Sequence, residues 1–283
     1  MIGAIIGDII GSPYESDLSN IKTKDFALFD KSKSHFTDDS IMTIAAAKGL
    51  IECLKSSRCS EQDIKSSVKK SMVEYGKLYP RAGYGNAFRE WILDDNRKPY
   101  NSWGNGSAMR TSSVAWLFNN LEEVNKIAEI VASITHSHPE GIKGAQAVSS
   151  AIYLARIGNT KEKIKEYIEL NFGYDLNFTL DSIRNWYYKD LSCEGSVPEA
   201  IVSFLESTSF EDCIRNAVSI GGDSDTIACM SASIAEAYYG LTKDNEWNDI
   251  VHEAMSCLDD KLKYDVVDCV EYIYGKDYAN QLI

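Results

Sequence analysis

The sequence predicts an all-α fold. Apolar residues recur at helical spacing from residue 38 onward, no segment sustains the period-2 alternation of a half-buried strand, and Ser, Thr and Asp cap signals precede several apolar runs. The chain has 283 residues, of which 44% are apolar and 25% charged, the composition of a soluble globular protein that can bury a sizeable core. Its five prolines are scattered and no Pro/Ser-rich linker or charge block interrupts the pattern, so residues 1–283 read as one domain.

The elements follow in order. The stretch from Met1 to Gly11 is apolar, but it lacks a basic flank and carries Asp8, which argues against a leader peptide or membrane span. Gly3, Gly7 and Gly11 recur every fourth residue, so a helix here presents a stripe that another backbone can approach closely. Pro13 ends that helix near Ser12 and leaves Glu15 in the loop beyond. Thr37-Asp38-Asp39 then opens the small-apolar run Ile41-Met42-Thr43-Ile44-Ala45-Ala46-Ala47. Ser60 with Asp63 resembles a capping box, followed by Ile64, Val68, Met72 and Tyr75 at helical spacing. Further stripes are Leu121, Val124, Ile127 and Val131, then Ala147, Ala151, Leu154 and Ala155. Ser209 with Asp212 caps a short helix through Ile214, Ala217 and Val218 that leads into Gly221-Gly222-Asp223. Asp223-Ser224-Asp225-Thr226 opens a last run, Ile227-Ala228-Cys229-Met230. The polar stretches 15–36, 76–105 and 171–197 read as long loops, a length usually tied to function or mobility.

The two acidic clusters carry the strongest chemical signal. Each reads as a carboxylate-rich helix N-terminus, where unpaired amides and the helix dipole favour negative charge. One cap residue satisfies a helix, so the second Asp in each cluster has another purpose. If the two helix starts meet, Asp38, Asp39, Asp223 and Asp225 converge, and a low-dielectric site tolerates that only with protons or divalent cations bound. Oxygen-only ligands select a hard ion, Mg²⁺ or else Mn²⁺ or Ca²⁺.

Between the clusters lie two glycine-rich segments, Gly83-Tyr84-Gly85-Asn86-Ala87-Phe88 and Trp103-Gly104-Asn105-Gly106-Ser107-Ala108-Met109-Arg110. Such glycines let backbone N–H groups approach a phosphate, and Trp103 or Tyr84 can stack on a base; tight turns flanked by aromatics explain the same pattern. His136-Ser137-His138 lacks a third His or a Cys at ligand spacing, so a Zn²⁺ site is disfavoured, and Pro139-Glu140-Gly141 reads as the turn before a helix starting near Gly144. A net charge of −13 argues against a nucleic-acid backbone as main partner, because no Lys/Arg stripe is available to displace counterions. The seven cysteines are odd in number and show no CxxC pair, which reads as reduced thiols of a cytoplasmic protein without a disulfide framework.

Five segments in order, Gly3-x-x-x-Gly7-Asp8-x-x-Gly11-x-x-x-Glu15, Phe36-Thr37-Asp38-Asp39-Ser40, Gly104 to Arg110, Thr135-His136-x-His138-Pro139-Glu140-Gly141 and Gly221-Gly222-Asp223-Ser224-Asp225-Thr226-Ile227-Ala228, resemble the signatures of the ADP-ribosylglycohydrolases. The likeness covers essentially the whole chain. It implies an all-α fold with a binuclear Mg²⁺ or Mn²⁺ centre between helix N-termini, hydrolysing the bond between C1″ of a terminal ribose and its acceptor. Carried over, Thr37, Asp38, Asp39, Asp223, Asp225 and Thr226 hold two metals. Glu15, Asp39 and Asp225 are the candidates for proton transfer. Gly83, Tyr84, Gly85, Phe88, Ser102, Trp103, Gly104, Asn105, Gly106, Met109 and His136 bind the adenosine diphosphate-ribose of an ADP-ribosylated protein or small conjugate. The implied transition state is oxocarbenium-like, stabilised by preorganised charge.

Family members acting on arginine carry an acidic residue where this chain has Gly83-Tyr84-Gly85, so arginine, serine, O-acetyl and other linkages all stay open as acceptor. Ser40 in place of the commoner Thr is conservative. Two other functions compete: a different binuclear phosphohydrolase, and a protein that binds ADP-ribose without turnover, as lens crystallins related to the family illustrate. Retention of the full set of metal-site positions speaks against the second.

Overall fold

The computed structural model describes residues 1–16, 18–57, 59–240, 245–280 and 282, with the side chains of 245 and 246 left aside. The helices in order are α1 (Ile2–Gly11), α2 (Asp38–Lys55), α3 (Glu61–Leu78), α4 (Asn86–Leu93), α5 (Val114–Leu117), α6 (Leu121–Ala132), α7 (Pro139–Arg156) and α8 (Lys161–Phe172). They are followed by α9 (Leu180–Ile183), α10 (Cys193–Leu205), α11 (Phe210–Ser219), α12 (Ser224–Tyr239), α13 (Asn245–Ser256), α14 (Asp260–Tyr274) and α15 (Lys276–Ala279). Short 3₁₀ turns occupy Ser12–Tyr14, Asn105–Ser107 and Met109–Thr111. Among the described residues there is no strand, only the isolated bridges Tyr100↔His136 and Gly104↔Ser192.

At the centre lies α1, buried on every side, which is why its sequence is apolar all round rather than striped. It runs along α12, and the glycine stripe makes that contact possible. A Cβ at Gly3 or Gly7 would collide with the Ala232 or Ala228 carbonyl, and one at Gly11 with the Asp225 backbone. The Glu236 carboxylate of α12 accepts the Ile2 (3.2 Å) and Gly3 (2.8 Å) amides, supplying the cap that the start of α1 lacks in its own sequence. Around this pair pack α2, α7, α10 and α11, with α3 and α14 on the far side of α2. The resulting core cluster is continuous from Met1 to Leu282.

Local cap chemistry acts where the spacing predicts it. Ser60 and Asp63 form a reciprocal capping box on α3, and the Ser209 side chain accepts the Asp212 amide on α11. Four expectations need correction. The stretch 76–105 contains α4, whose apolar face (Phe88, Trp91, Ile92) spans only two turns and is too short to stand out as a period. The stretch 171–197 contains α9 and the start of α10. Helix α7 begins at Pro139, not near Gly144, because the His138 ring accepts the Glu140 amide and Pro139 needs no N–H partner in the first turn. Finally, Cys53 and Cys59, with Cα atoms 5.5 Å apart, form a disulfide between the last turn of α2 and the loop before α3, whereas all cysteines were expected to be reduced. No helix among the described residues is long and apolar enough to cross a membrane.

Candidate metal centre and ligand cavity

The starts of α2 and α12 meet over the C-terminal half of α1. Thr37 caps α2 with its side chain on the Asp39 amide. The turn into α12 runs through Gly221 (φ +71°) and Gly222 (φ +78°), left-handed positions that favour glycine, and it delivers Asp223 and Asp225 beside Gly11.

Two groups of carboxylates result, sharing Asp225. In the inner group the ligand oxygens of Asp8, Asp39 and Asp225 lie within 4.8 Å of one another. Asp8, on α1, was not among the site residues read from sequence. It accepts the Thr37 amide (2.9 Å) and hydroxyl (2.6 Å), the Ser40 amide (3.0 Å) and the Ser40 hydroxyl. Four donors engage its carboxylate, so Asp8 acts as the anchor of the α2 N-terminus rather than as a free ligand. Asp39 is 2% exposed: its Oδ2 accepts the Thr226 (3.0 Å) and Thr37 (3.3 Å) hydroxyls, while Oδ1 has no hydrogen-bond partner. Burial pushes the Asp39 carboxyl well above the ordinary range, and the charges of Asp8, Asp38 and Asp223 push it further. Asp225 is raised in the same way, by burial first and then by Asp223 and Asp39. Asp38 faces the cavity and is pushed up to about 8 by burial and by Asp8 and Asp223.

In the outer group Glu15, Asp223 and Asp225 bring their oxygens within 4.8 Å of one another. Here a cation is present. Lys189 Nζ lies 2.6 Å from Glu15 Oε1 and 3.4 Å from Asp223 Oδ1, and Asn105 Nδ2 donates to Asp223 Oδ2 at 2.7 Å. Burial pulls the Lys189 ammonium down, but the bond to Glu15 and the charge of Asp223 outweigh it and leave the group raised.

Both groups open onto a cavity of about 440 Å³. Glu15, Asp38, Asp39, Asp223, Asp225 and Thr226 form its acidic wall; Gly83, Gly85, Phe88, Ser102, Gly104, Asn105, Gly106, Met109 and His136 also line it. The start of α4 faces it with Asn86 and Ala87 and has no side-chain cap. Gly83 (φ +104°) stands against the Asp38 carboxylate. The 104–107 turn is fixed from behind by Arg110, which is 1% exposed and donates to Gly106 O (2.8 Å) and Thr135 Oγ1 (2.7 Å). Burial and Arg110 push the His136 ring down to about 3, so it stays neutral, with Nδ1 2.8 Å from Thr135 Oγ1.

Three predicted site residues do not line the cavity. Thr37 lies behind the acidic wall, held by Asp8. Tyr84 is in the core, 1% exposed, its ring 5.1 Å from Phe88. Trp103 points away, 56% exposed, edge-on to His138 at 5.6 Å. Conversely Asp8, Tyr100, Lys189 and Leu191 join the site without having been singled out. Asp8 is the acidic member of an otherwise apolar run, a visible signal; Lys189 sits in a polar loop and carries none.

Carboxylates and hydroxyls are the donor set of a hard divalent ion, and the unpartnered buried Asp39 Oδ1 is an atom such an ion would satisfy. The acidic groups could therefore hold a metal. An all-helical protein with this wall and a glycine-lined cavity belongs to a definable class. The ADP-ribosylglycohydrolase family model matches residues 1–277, and the chain belongs to that family. Similar curated proteins include the ADP-ribosylhydrolase ARH3 of Gallus gallus, 25% identical over 85% of this chain and 84% of that one. The human ARH3 is 24% identical with the same coverages, and an uncharacterized protein of Archaeoglobus fulgidus is 25% identical over 84% of this chain and 85% of its own. A solved ADP-ribosylglycohydrolase-related protein complex superimposes with a TM-score of 0.66 at 20% identity, over 97% of both chains, a likeness of fold. Family membership indicates a hydrolase acting on ADP-ribosyl bonds in general.

Proposed function

We infer that the chain, acting as one domain, is a metal-dependent hydrolase that cleaves the C1″ glycosidic bond between ADP-ribose and a protein side chain or small conjugate, releasing ADP-ribose. The observation that carries this reading is the meeting of two helix starts on one cavity wall with a buried carboxylate oxygen, Asp39 Oδ1, left unpartnered. Asp38, Asp39, Asp223, Asp225 and Thr226, with Thr37 behind them, are the residues to hold two Mg²⁺ or Mn²⁺ ions. Bound there, such ions polarise ligand oxygens and lower the pKa of a water.

The protein's own groups supply the rest. Asp8 holds Thr37, and Thr37 in turn accepts the Asp39 amide, so Asp8 fixes the start of α2 from which Asp39 faces the cavity. The start of α4, which has no side-chain cap and meets the cavity with Asn86 and Ala87, presents N–H groups to a diphosphate, which lets an acidic protein bind an anion. Neutral His136 serves as a hydrogen-bonding wall residue and not as a cation. Glu15, Asp39 and Asp225 are the candidates for proton transfer, taking a proton from the attacking water or giving one to the leaving group.

The test is incubation with a panel of arginine-linked and serine-linked ADP-ribosylated proteins, with Mg²⁺, with Mn²⁺ and with EDTA, reading released nucleotide by mass spectrometry. Free ADP-ribose in Mg²⁺ or Mn²⁺ but not in EDTA is expected. Release of AMP would assign cleavage to a phosphate instead, and binding without release would make the protein a reader of ADP-ribose.

A further inference from the structure

Lys189 is the cation that the described residues place on the acidic wall, and its two ion pairs, with Glu15 and Asp223, are both to the outer carboxylate group. Its ammonium lies 2.6 Å from Glu15 and 3.4 Å from Asp223, with its side chain 28% exposed and that of Asp223 6% exposed. Among the described residues no ammonium pairs with the inner Asp8 and Asp39; there the charge of Asp8 is met by fixed amides and hydroxyls, and Asp39 Oδ1 has no hydrogen-bond partner. The ammonium already sits on two of the three outer carboxylates, so a divalent ion held by Glu15, Asp223 and Asp225 competes with it for the same charge position. A lysine suits a replaceable charge: it is a compact ion on a flexible four-carbon stem, and the loop carrying it reaches solvent at neighbouring Tyr188, 82% exposed.

We propose that Lys189 is a built-in counter-ion of the outer carboxylate group, occupying the charge position of one divalent ion in the metal-free protein and leaving it when that ion binds. This rests on the metal-centre reading above and adds to it a residue and an order of events. The inner position, where no cation must leave, fills at lower metal concentration. Filling of the outer one requires Lys189 to withdraw, which also frees Glu15 from its 2.6 Å ion pair and makes it available at the cavity. The segment 15–36 is separately tied to the same loop, Lys22 Nζ donating to Tyr187 O at 2.8 Å, so Glu15 changes partner while its loop stays anchored.

The experiment is isothermal titration of EDTA-stripped protein with MgCl₂ and MnCl₂, together with thermal melts in EDTA, for wild type, Lys189→Met and Lys189→Gln. Two neutral variants guard against a packing defect in either one. The wild type should show a tighter and a weaker binding step. In both variants the weaker step should tighten by at least about fivefold, within the usual range of coupling between two ligands competing through one site, and the tighter step should barely move. The metal-free variants should melt below wild type, since Glu15 and Asp223 lose the ammonium they pair with, and Mg²⁺ should stabilise the variants by more than it stabilises wild type. Unchanged or weakened affinity at the second step, or a single step for the wild type, would overturn the counter-ion role while leaving a metal centre in place. Absence of Mg²⁺ and Mn²⁺ binding in every protein would overturn the metal reading itself, and the counter-ion with it.

Discussion

The inner and outer carboxylate groups of this protein share Asp225 and face the same cavity, yet they solve the problem of clustered negative charge differently. The inner group is built into helix starts. Asp8 takes two amides and two hydroxyls from the first turn of α2, donors that cannot leave without unwinding the helix. The outer group adds to Asp225 a loop glutamate and a helix-cap aspartate, and both of these pair with a lysine on a second loop, partners that can separate. The difference teaches that one group is preorganised by the fold and the other is adjustable. Substitution of the anchor Asp8 should damage structure and activity together, and substitutions at the outer Glu15 and Lys189 should change ion binding with little effect on the core.

The largest expected effect falls on the shared residue. Asp225→Asn removes a ligand from both groups and should lower kcat/KM for release of ADP-ribose by on the order of 10²–10⁴; activity within tenfold of wild type would break the shared-ligand account. Next comes Asp8→Ala, which leaves four donors at the start of α2 without their acceptor. It should destabilise the protein by about 2–4 kcal/mol, equally in EDTA and in Mg²⁺, as read by urea titration. A loss confined to Mg²⁺ would instead make Asp8 a ligand.

A half-buried glutamate outside both groups, with one carboxylate oxygen fully covered, provides the control. Burial, with Asp190 adding to it, pushes Glu199 up to about 8, and its Oε2 has no partner. Its folded pKa lies above its ordinary 4.5, so its contribution to stability is complete below that value and is lost as pH rises through about 8. Glu199→Gln should therefore melt increasingly above wild type between pH 5 and 8.5, by several degrees at the upper end. Parallel melting curves across that range would show that a lone buried carboxyl is tolerated here without a proton. The smallest effect is expected at Trp103. With its ring exposed and edge-on to His138, Trp103→Ala should change ADP-ribose affinity by less than about twofold, while Phe88→Ala on the cavity wall should cost about 1–2 kcal/mol. Calorimetry of both variants with ADP-ribose in saturating Mg²⁺ distinguishes them.

What was legible in the sequence follows from how local each signal is. Cap chemistry acts within three residues, so Ser60 with Asp63, Ser209 with Asp212 and the Thr37-Asp38-Asp39 start read correctly as helix beginnings. The glycine stripe of α1 also read correctly, because its fourfold spacing has meaning only on a helix. Helix α4 escaped since Asn86–Leu93 offers too few turns for a period and follows glycines that look like loop. An aromatic beside glycines gives one signal whether it faces a ligand or solvent, which is why Trp103 and Phe88 could not be told apart before the fold was known. Lys189 gains its meaning from Glu15 and Asp223, both remote in sequence, and one lysine in a polar loop announces nothing of that kind. The pairing of Cys53 with Cys59 depends on the end of α2 turning back toward the start of α3, which is again a matter of tertiary geometry.

The most direct test of the metal centre is a pair of thermal melts, wild type and Asp225→Asn, in EDTA and across a Mg²⁺ series. Clustered carboxylates repel when no ion is bound, so the Asn variant should melt at or above wild type in EDTA. Mg²⁺ should reverse the ranking, since an ion that binds only the folded state stabilises it by RT ln(1 + [L]/Kd), about 2.7 kcal/mol at a hundredfold excess over Kd, and the variant should gain much less of this. An Asn variant that loses stability in EDTA and responds to Mg²⁺ as wild type does would contradict the account and make Asp225 a first-turn helix residue with no ligand role.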